Sequence, residues 1–251
     1  MEPHGFSFFT AVKVSTTRFM KIRELTGRAI SKSLYVAIST LSKLFPQRGT
    51  IYMMHSVGDD RHSFNISKEA FRLFIEKIHN KNVVKLEEWG SHSDFICLTF
   101  DDVADSFYYN AYPLLKQNNI PFTLFVSCSL LNQEKYITTE MLKDLASCDL
   151  CTVGSHGFQH IPFASLNEEE AKKDLIDSKK QIENIIGRDI KLYAFPHGTF
   201  YKCGYIRKHL VKDYYKYGFG TISTAITKPS LLKSYFLPRV NVTELFIKNF
   251  K

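Results

Sequence analysis

Long apolar runs are missing from this chain. No stretch approaches the roughly 18 consecutive apolar residues of a membrane-spanning helix, so nothing in it reads as one. Cysteine is sparse and odd in number. Cys97, Cys128, Cys148, Cys151 and Cys203 are scattered, which argues against the disulfide framework of a small secreted domain. Cys148 and Cys151 form a lone C-x-x-C without a second pair, a weak signal for zinc or redox chemistry, and packing is its default role. Internal repeats, low-complexity tracts and Gly/Ser linkers are also lacking, which excludes a repeat array and a flexibly tethered assembly. Acidic residues are in deficit, with 25 Asp and Glu against 33 Lys and Arg for a net charge of +8.

That excess is unevenly placed. Residues 1–50 hold Lys13, Arg18, Lys21, Arg23, Arg28, Lys32, Lys43 and Arg48 against only Glu2 and Glu24, so most of the positive charge lies in the first fifth. With the charge outside the remaining body and no aromatic–basic groove evident, no nucleic-acid partner is expected. Basic residues follow "FSFFTAV" rather than precede it, so the segment does not read as a secretory signal. The expected location is cytoplasmic or peripheral to the inner membrane. The stretch "RAISKSLYVAISTLSKLF" places Ile30, Leu34, Ile38, Leu41 and Phe45 at helical spacing. Two readings stand for it: a helix packed on the body, or a helix making peripheral contact with an anionic membrane face.

What the chain does have is 44% hydrophobic residues, ample for a core. After "PQRGT" (46–50), short apolar strands alternate with amphipathic stretches. Strands are predicted at 50–55, 95–100, 121–127, 150–156 and 190–196, with the last ones in "YGFGTIST" and "YFLPRVNV". Helices are predicted at 67–80 (capped by Ser67), 106–119 (kinked or restarted at Pro113), 138–147, 167–187 (closed by Gly187) and 206–218 (closed by Gly218). This alternation predicts an α/β fold with a mainly parallel sheet, open or closed into a barrel. In such folds the chemistry collects at the carboxyl ends of strands.

The polar residues obey that rule. Strand 50–55 ends at His55, strand 95–100 at Asp101 and Asp102, strand 150–156 at "SHGFQH" with His156 and His160, and strand 190–196 at "PHG" with His197. The last strand region carries Arg239. Two adjacent carboxylates at the end of "ICLTF" are costly if buried, so either a cation meets them, or the pair sits in a solvated loop or caps the next helix. His156 and His160 are four apart, and a helical turn after Ser155 would face both imidazoles one way, as a ligand pair. One of the two aspartates supplies the anionic ligand, leaving coordination positions open, and the other lies beside the metal where a general base belongs. His62, His79, His92 and His209 receive no role.

In this order, "TFDD" (99–102), "SHGFQH" (155–160) and "AFPHG" (194–198) resemble the motifs of the NodB-homology polysaccharide deacetylases. With "YMMHSV" (52–57) and "LPRVNV" (237–242), the likeness is closest to the subgroup that deacetylates poly-N-acetylglucosamine exopolysaccharides, and it spans roughly residues 50–243. The resemblance implies a distorted (β/α) barrel of about seven strands, with a catalytic domain at 49–251 preceded by a basic, partly helical extension at 1–48. It implies metal-dependent hydrolysis of N-acetyl or O-acetyl groups on an acetylated polysaccharide or oligosaccharide, in exopolysaccharide or capsule biosynthesis. One divalent ion, zinc by the family's habit, would be held by Asp102, His156 and His160, with Asp101 as the base and Arg239 holding it. The backbone N–H near His197 would face the oxyanion, and His55 would protonate the leaving amine. The chain departs from the pattern in three places: Val103 stands where a glycine commonly follows "TFDD", His197 stands at the motif's usual tyrosine, and the arginines that commonly precede it are missing. The alternative is a catalytically impaired carbohydrate-binding protein on the same scaffold.

Overall fold

The computed structural model describes residues 26–58, 65–204, 207–228, 230 and 232–250. Its strands, in chain order, are β1 (Gln47–Met54), β2 (Ser56–Val57), β3 (Asn65–Ile66), β4 (Phe95–Asp101), β5 (Phe122–Val126), β6 (Cys151–Ser155), β7 (Leu192–Ala194), β8 (Tyr217–Phe219), β9 (Ile226–Thr227) and β10 (Val240–Asn241). The main sheet runs β10-β1-β4-β5-β6-β7-β8 with parallel neighbours, and β9 adds antiparallel to the start of β1. Segment 234–241 touches both ends of this order. The Gly218 and Gly220 amides donate to the Ser234 and Leu237 carbonyls, Phe219 bridges Leu237 in parallel, and β10 then pairs with β1. The sheet thus closes, by a few bonds, into the expected distorted barrel of about seven strands.

Side chains alternate across each strand with period two. Tyr52, Met54, Leu98, Phe100, Leu124 and Val126 join the larger core under the helices. Ile51, Cys97, Phe125, Leu192, Ala194 and Phe219 fill the barrel interior. Gly154 lies where an added Cβ would come within 2.7 Å of the Phe125 ring, so the large ring on β5 is matched by no side chain on β6. Continuing the inward set along β4, Phe95 and Cys97 are followed by Thr99 and Asp101, both buried. The strand therefore delivers a carboxylate to the inside of the barrel at its carboxyl end.

Helices cover the outer face. Helix α1 spans 26–42, followed by α2 (Lys68–Ile78), α3 (Tyr112–Gln117), α4 (Thr139–Ser147), α5 (Glu168–Ile186), α6 (Phe200–Cys203) and α7 (Glu244–Asn249). Ser67 caps α2 by accepting from the Ala70 amide, and Phe71, Phe74, Ile75 and Ile78 are its buried face. Asn167 and Glu170 form a reciprocal capping box on α5, which Gly187 ends at φ +71°. Pro113 restarts the helical stretch as predicted: a π-helical turn over Phe107–Ala111 precedes α3, and the proline sits in its first turn where no N–H is needed.

Two expectations change. Over the described residues 207–218 there is no α-helix. A 3-10 segment covers Arg207–Asp213, and the chain then lifts into β8, where Lys216 donates its amide to the Lys191 carbonyl. Tyr215, whose hydroxyl donates to the Leu175 carbonyl, anchors that exit. Gly218 is accordingly not a helix terminator. It lies in β8, where an added Cβ would collide with the Tyr235 carbonyl of the closing segment. The second change concerns α1. It packs on the body, but through small residues rather than the predicted apolar stripe. Ser31 Oγ accepts from the Tyr201 amide at 3.3 Å, and Ser42 Oγ meets Thr224 Oγ1 at 2.5 Å. Ile30, Leu34 and Leu41 are exposed, Ile38 faces the body, and Phe45 follows the helix.

Just past β4, Val103 is fully buried at φ +54°. A left-handed conformation costs an L-residue about 1–2 kcal/mol, while burying a valine side chain contributes about 1.5–3 kcal/mol, so packing outweighs strain. Val103→Ala loses packing and keeps the strain, whereas Val103→Gly loses the packing and relieves it. Denaturant unfolding should therefore find Val103→Ala the more destabilised of the two, by about 1 kcal/mol, although glycine removes more carbon. A glycine variant clearly less stable than the alanine one would show that the turn is not strained.

Candidate active site

The site stands at the carboxyl ends of β1, β4, β6 and β7, and is built outward from Asp101. This side chain is 2% exposed, yet it is ionised. Burial alone would push its carboxyl up. The Arg239 guanidinium overrides this, with smaller help from His156 and His55, and holds it below the usual carboxylate range. Arg239 grips it bidentately, Nη1 to Oδ1 at 2.6 Å and Nη2 to Oδ2 at 2.7 Å. Two further donors are used: Nη1 reaches Thr99 Oγ1 at 3.1 Å and Nε donates to the Gly220 carbonyl at 3.1 Å.

Asp102 leaves the strand. Its φ of +62° turns its carboxylate away from Asp101's direction and toward two histidines. Asp102 Oδ1 lies 3.4 Å from His156 Nε2 and 3.0 Å from His160 Nε2. Burial raises the Asp102 carboxyl, and the neighbouring His160, His156 and His55 more than reverse this and keep it ionised. His156 is buried, and burial pushes its pKa down against the pull of both aspartates, so the ring is neutral. Its Nδ1 lies 2.8 Å from the Ala194 carbonyl, which can only accept. The ring proton is therefore on Nδ1, and the Nε2 lone pair faces Asp102 at 3.4 Å and Asp101 Oδ2 at 4.0 Å. Lone pairs converging on one point are repulsive unless a cation stands among them. Asp102 Oδ1 is also buried without a hydrogen bond of ordinary geometry. One ligand atom from each of Asp102, His156 and His160 lies within 4.8 Å of the others. The donor set, a carboxylate and two imidazoles with one imidazole fixed from behind, suits a divalent cation such as zinc.

The two histidines meet by a route other than the predicted helical turn. Residues 156–160 form a loop in which Gly157 has φ +78° and His160 φ +56°, and the rings come to 5.2 Å between centroids. The loop is held from both sides: Cys128 and Ser129 donate their amides to the Gly157 and Phe158 carbonyls, and the Phe158 amide donates to Asp174 Oδ1 on α5 at 2.9 Å. Asp174 is the residue that sequence reasoning missed. Its signal was present. It lies on the face of α5 that carries the buried Ala171, Leu175, Ser178 and Ile182, where an acid has no place without donors. Burial raises its carboxyl, partly offset by backbone donors at Phe158 and Gln159. Thr99 was likewise unassigned; its hydroxyl donates to the Tyr52 carbonyl while accepting from Arg239.

The other predicted residues reach the same rim. His55 follows β1, half-buried, close enough for its charge to act on both aspartates. His197, exposed at φ +61°, sets its ring 5.0 Å from that of His160, tilted by 37°. The C-x-x-C pair plays no part: both thiols are free, and burial raises that of Cys151.

Comparison with known proteins places this geometry. YxkH of Bacillus subtilis (strain 168), named as a polysaccharide deacetylase, is 23% identical over 165 residues, 62% of this chain and 58% of its own length. The chain thus spans little more than half of that relative. The poly-beta-1,6-N-acetyl-D-glucosamine N-deacetylase of Staphylococcus aureus (strain MRSA252) is 24% identical over 206 residues, 72% of this chain and 69% of that one. In fold, the crystal structure of BC0361, a polysaccharide deacetylase from Bacillus cereus, superposes with a TM-score of 0.71 at 21% identity, covering 81% of this chain and 68% of that chain. The family model for polysaccharide deacetylase matches residues 90–218, just over half of the chain and the stretch that carries Asp101, Asp102, His156, His160 and His197, and the protein belongs to that family.

Proposed function

We propose that the protein is a metal-dependent deacetylase that hydrolyses N-acetyl groups on a glycan, within exopolysaccharide or capsule biosynthesis. The observation that carries this reading is the convergence of Asp102, His156 and His160 beside a second, ionised carboxylate that ligates nothing in that trio. Residues 49–251 form the catalytic unit in this reading, and the named relatives support the glycan class.

Asp102, His156 and His160 would hold the ion. When bound, a divalent cation supplies Lewis acidity, polarising the amide carbonyl and acidifying water toward a pKa of about 7. Asp101 takes the proton of the attacking water. Its carboxylate is a weak base because Arg239 grips it, but it is always in the accepting form at neutral pH and always aimed the same way. The backbone N–H at His197 donates to the oxygen that gains charge. His55 donates a proton to the departing nitrogen, so the C–N bond breaks to acetate and a free amine. Asp174 acts at one remove, by fixing the loop that carries His156 and His160.

Acetate release from N-acetylated oligosaccharides is the direct test: it should vanish with a chelator and return with added zinc, and metal-independent release would remove the metal from this reading. A protein that takes up metal yet releases no acetate from any acetylated glycan would instead be the impaired binding protein. Asp101→Asn should retain stoichiometric metal while turnover falls about 10²–10⁴-fold; near-normal turnover would exclude it as the base. Arg239→Lys keeps the charge but not the fork, so kcat should fall with metal content unchanged. Arg239→Ala strands a buried carboxylate and should cost about 3–5 kcal/mol of stability by denaturant unfolding.

A further inference from the structure

The turn that follows β4 is clamped by a second piece of chain. Ala104 bridges Tyr136 antiparallel, the Asp105 amide donates to the Lys135 carbonyl at 3.0 Å, and the Ile137 amide donates to the Val103 carbonyl at 3.2 Å. Paired residues in such a ladder share a face, and successive residues alternate. Burial follows that rule. Val103 and Ile137 are fully buried in the larger core, whereas Ala104 and Tyr136 are half-buried and face the other way. Asp102, two residues before Ala104, is half-buried too. It stands diagonally across from Tyr136, within reach of an aromatic side chain. Burial and then the Asp102 charge raise the pKa of the Tyr136 hydroxyl, which stays protonated as a donor.

Packing does not account for Tyr136. It belongs to neither core cluster nor to the apolar residues packed against them. Among the described residues its ring meets no other ring and its hydroxyl makes no hydrogen bond. The clamp itself is made by main-chain groups and needs no tyrosine. The result is a flat apolar ring with a donor at its tip, set beside Asp102 by a backbone ladder. An acetamido pyranose offers the complement, C–H groups on its ring faces and oxygens at its edge. We propose that Tyr136 is a substrate-contacting residue, its ring bearing the acetamido sugar and its hydroxyl donating to one of that sugar's oxygens. This deepens the deacetylase reading and rests on it for where the acetyl group sits. Tyr136 borders the Asp102–His156–His160 trio at Asp102, as His197 borders it at His160.

The test separates contact with the sugar from support of the site. Acetate release from N-acetylglucosamine oligomers by the zinc-loaded protein is followed together with zinc content. Tyr136→Ala should raise KM about tenfold with kcat within about threefold, since a contact made equally in ground and transition states changes KM alone. Tyr136→Phe keeps the ring, loses the donor and should recover most of that loss. Tyr136→Leu fills space without a flat face and should not. Zinc content should stay at the wild-type level in every variant. An unchanged KM in the alanine variant, or recovery by leucine equal to that by phenylalanine, would overturn the proposal. So would a fall in kcat that tracks lost zinc, which would make Tyr136 a prop for Asp102. Calorimetry of the same oligomers on the zinc-loaded protein tests the contact without turnover. Binding that weakens by the same factor in Tyr136→Ala, with no acetate released by the wild type, would sink the deacetylase reading and leave the contact standing. A wild type that binds none of the oligomers would overturn the contact.

Discussion

A fully buried ion pair sets the terms for this molecule. Arg239 is among the largest side chains with no exposure, and its guanidinium is spent on Asp101, Thr99 and Gly220. Dehydrating two charges costs several kcal/mol each, so such a pair persists only where hydrogen bonds replace the lost water. Here those bonds join three separate pieces of chain: β4, the residue after β8, and the segment between Leu237 and β10. Those are the pieces that must come together for the sheet to close, and main-chain bonds alone join them thinly, since β8 and the closing segment share only a few. The aromatic face of Phe125, 5.2 Å from the guanidinium carbon, lines the same interior. The pair that aims Asp101 is thus also a clasp on the barrel, and any change to it is felt in both fold and site.

From that clasp the division of labour between two neighbouring aspartates follows. Inward alternation along β4 ends at Asp101, so its carboxylate points into the barrel and finds Arg239. The next residue would point outward into the core, and instead the backbone swings to a left-handed conformation at Asp102 and again at Val103. The two carboxylates, adjacent in sequence, part company: one faces a fixed cation, the other faces two imidazoles. His160 and His197 also adopt positive φ, so four non-glycine residues of this rim carry backbone strain. The surrounding core is what maintains them, most plainly at Val103, where a buried isopropyl group holds a conformation that glycine would take freely.

The chain announced much of this. Strand positions, the caps of α2 and α5, the restart at Pro113 and the collection of His55, Asp101, Asp102, His156, His160, His197 and Arg239 at one rim follow from period, punctuation and the carboxyl-end rule. What stayed hidden depended on partners distant in sequence. The "SHGFQH" loop is shaped by amides from Cys128 and Ser129 and by the carboxylate of Asp174, and spacing alone suggested a helical turn. The stretch 206–218 has helical composition, but Tyr215 and Lys216 are claimed by α5 and by the residue before β7. The apolar stripe of α1 promised a buried face. The body instead offers Tyr201 and Thr224 to Gly27, Ser31 and Ser42, and of the stripe's residues within α1 Ile38 faces inward while Ile30, Leu34 and Leu41 are exposed.

Burial across the site is graded, and the gradient has a chemical sense. Asp101 and His156 are dry, Asp102 and His160 are half-covered with side chains 21% and 26% exposed, and His197 stands in solvent. Fixed dipoles and charges act most strongly where water is absent, so Asp101 and His156, the proposed base and the deepest proposed ligand, are the groups whose orientation is most tightly held. In the proposed reading a glycan rests on the rim, against the exposed imidazole, and lowers a single acetamide toward the buried end. Recognition would then belong to the wet residues and bond cleavage to the dry ones. The turn from His156 to His160 joins the two, because it places one imidazole at each depth.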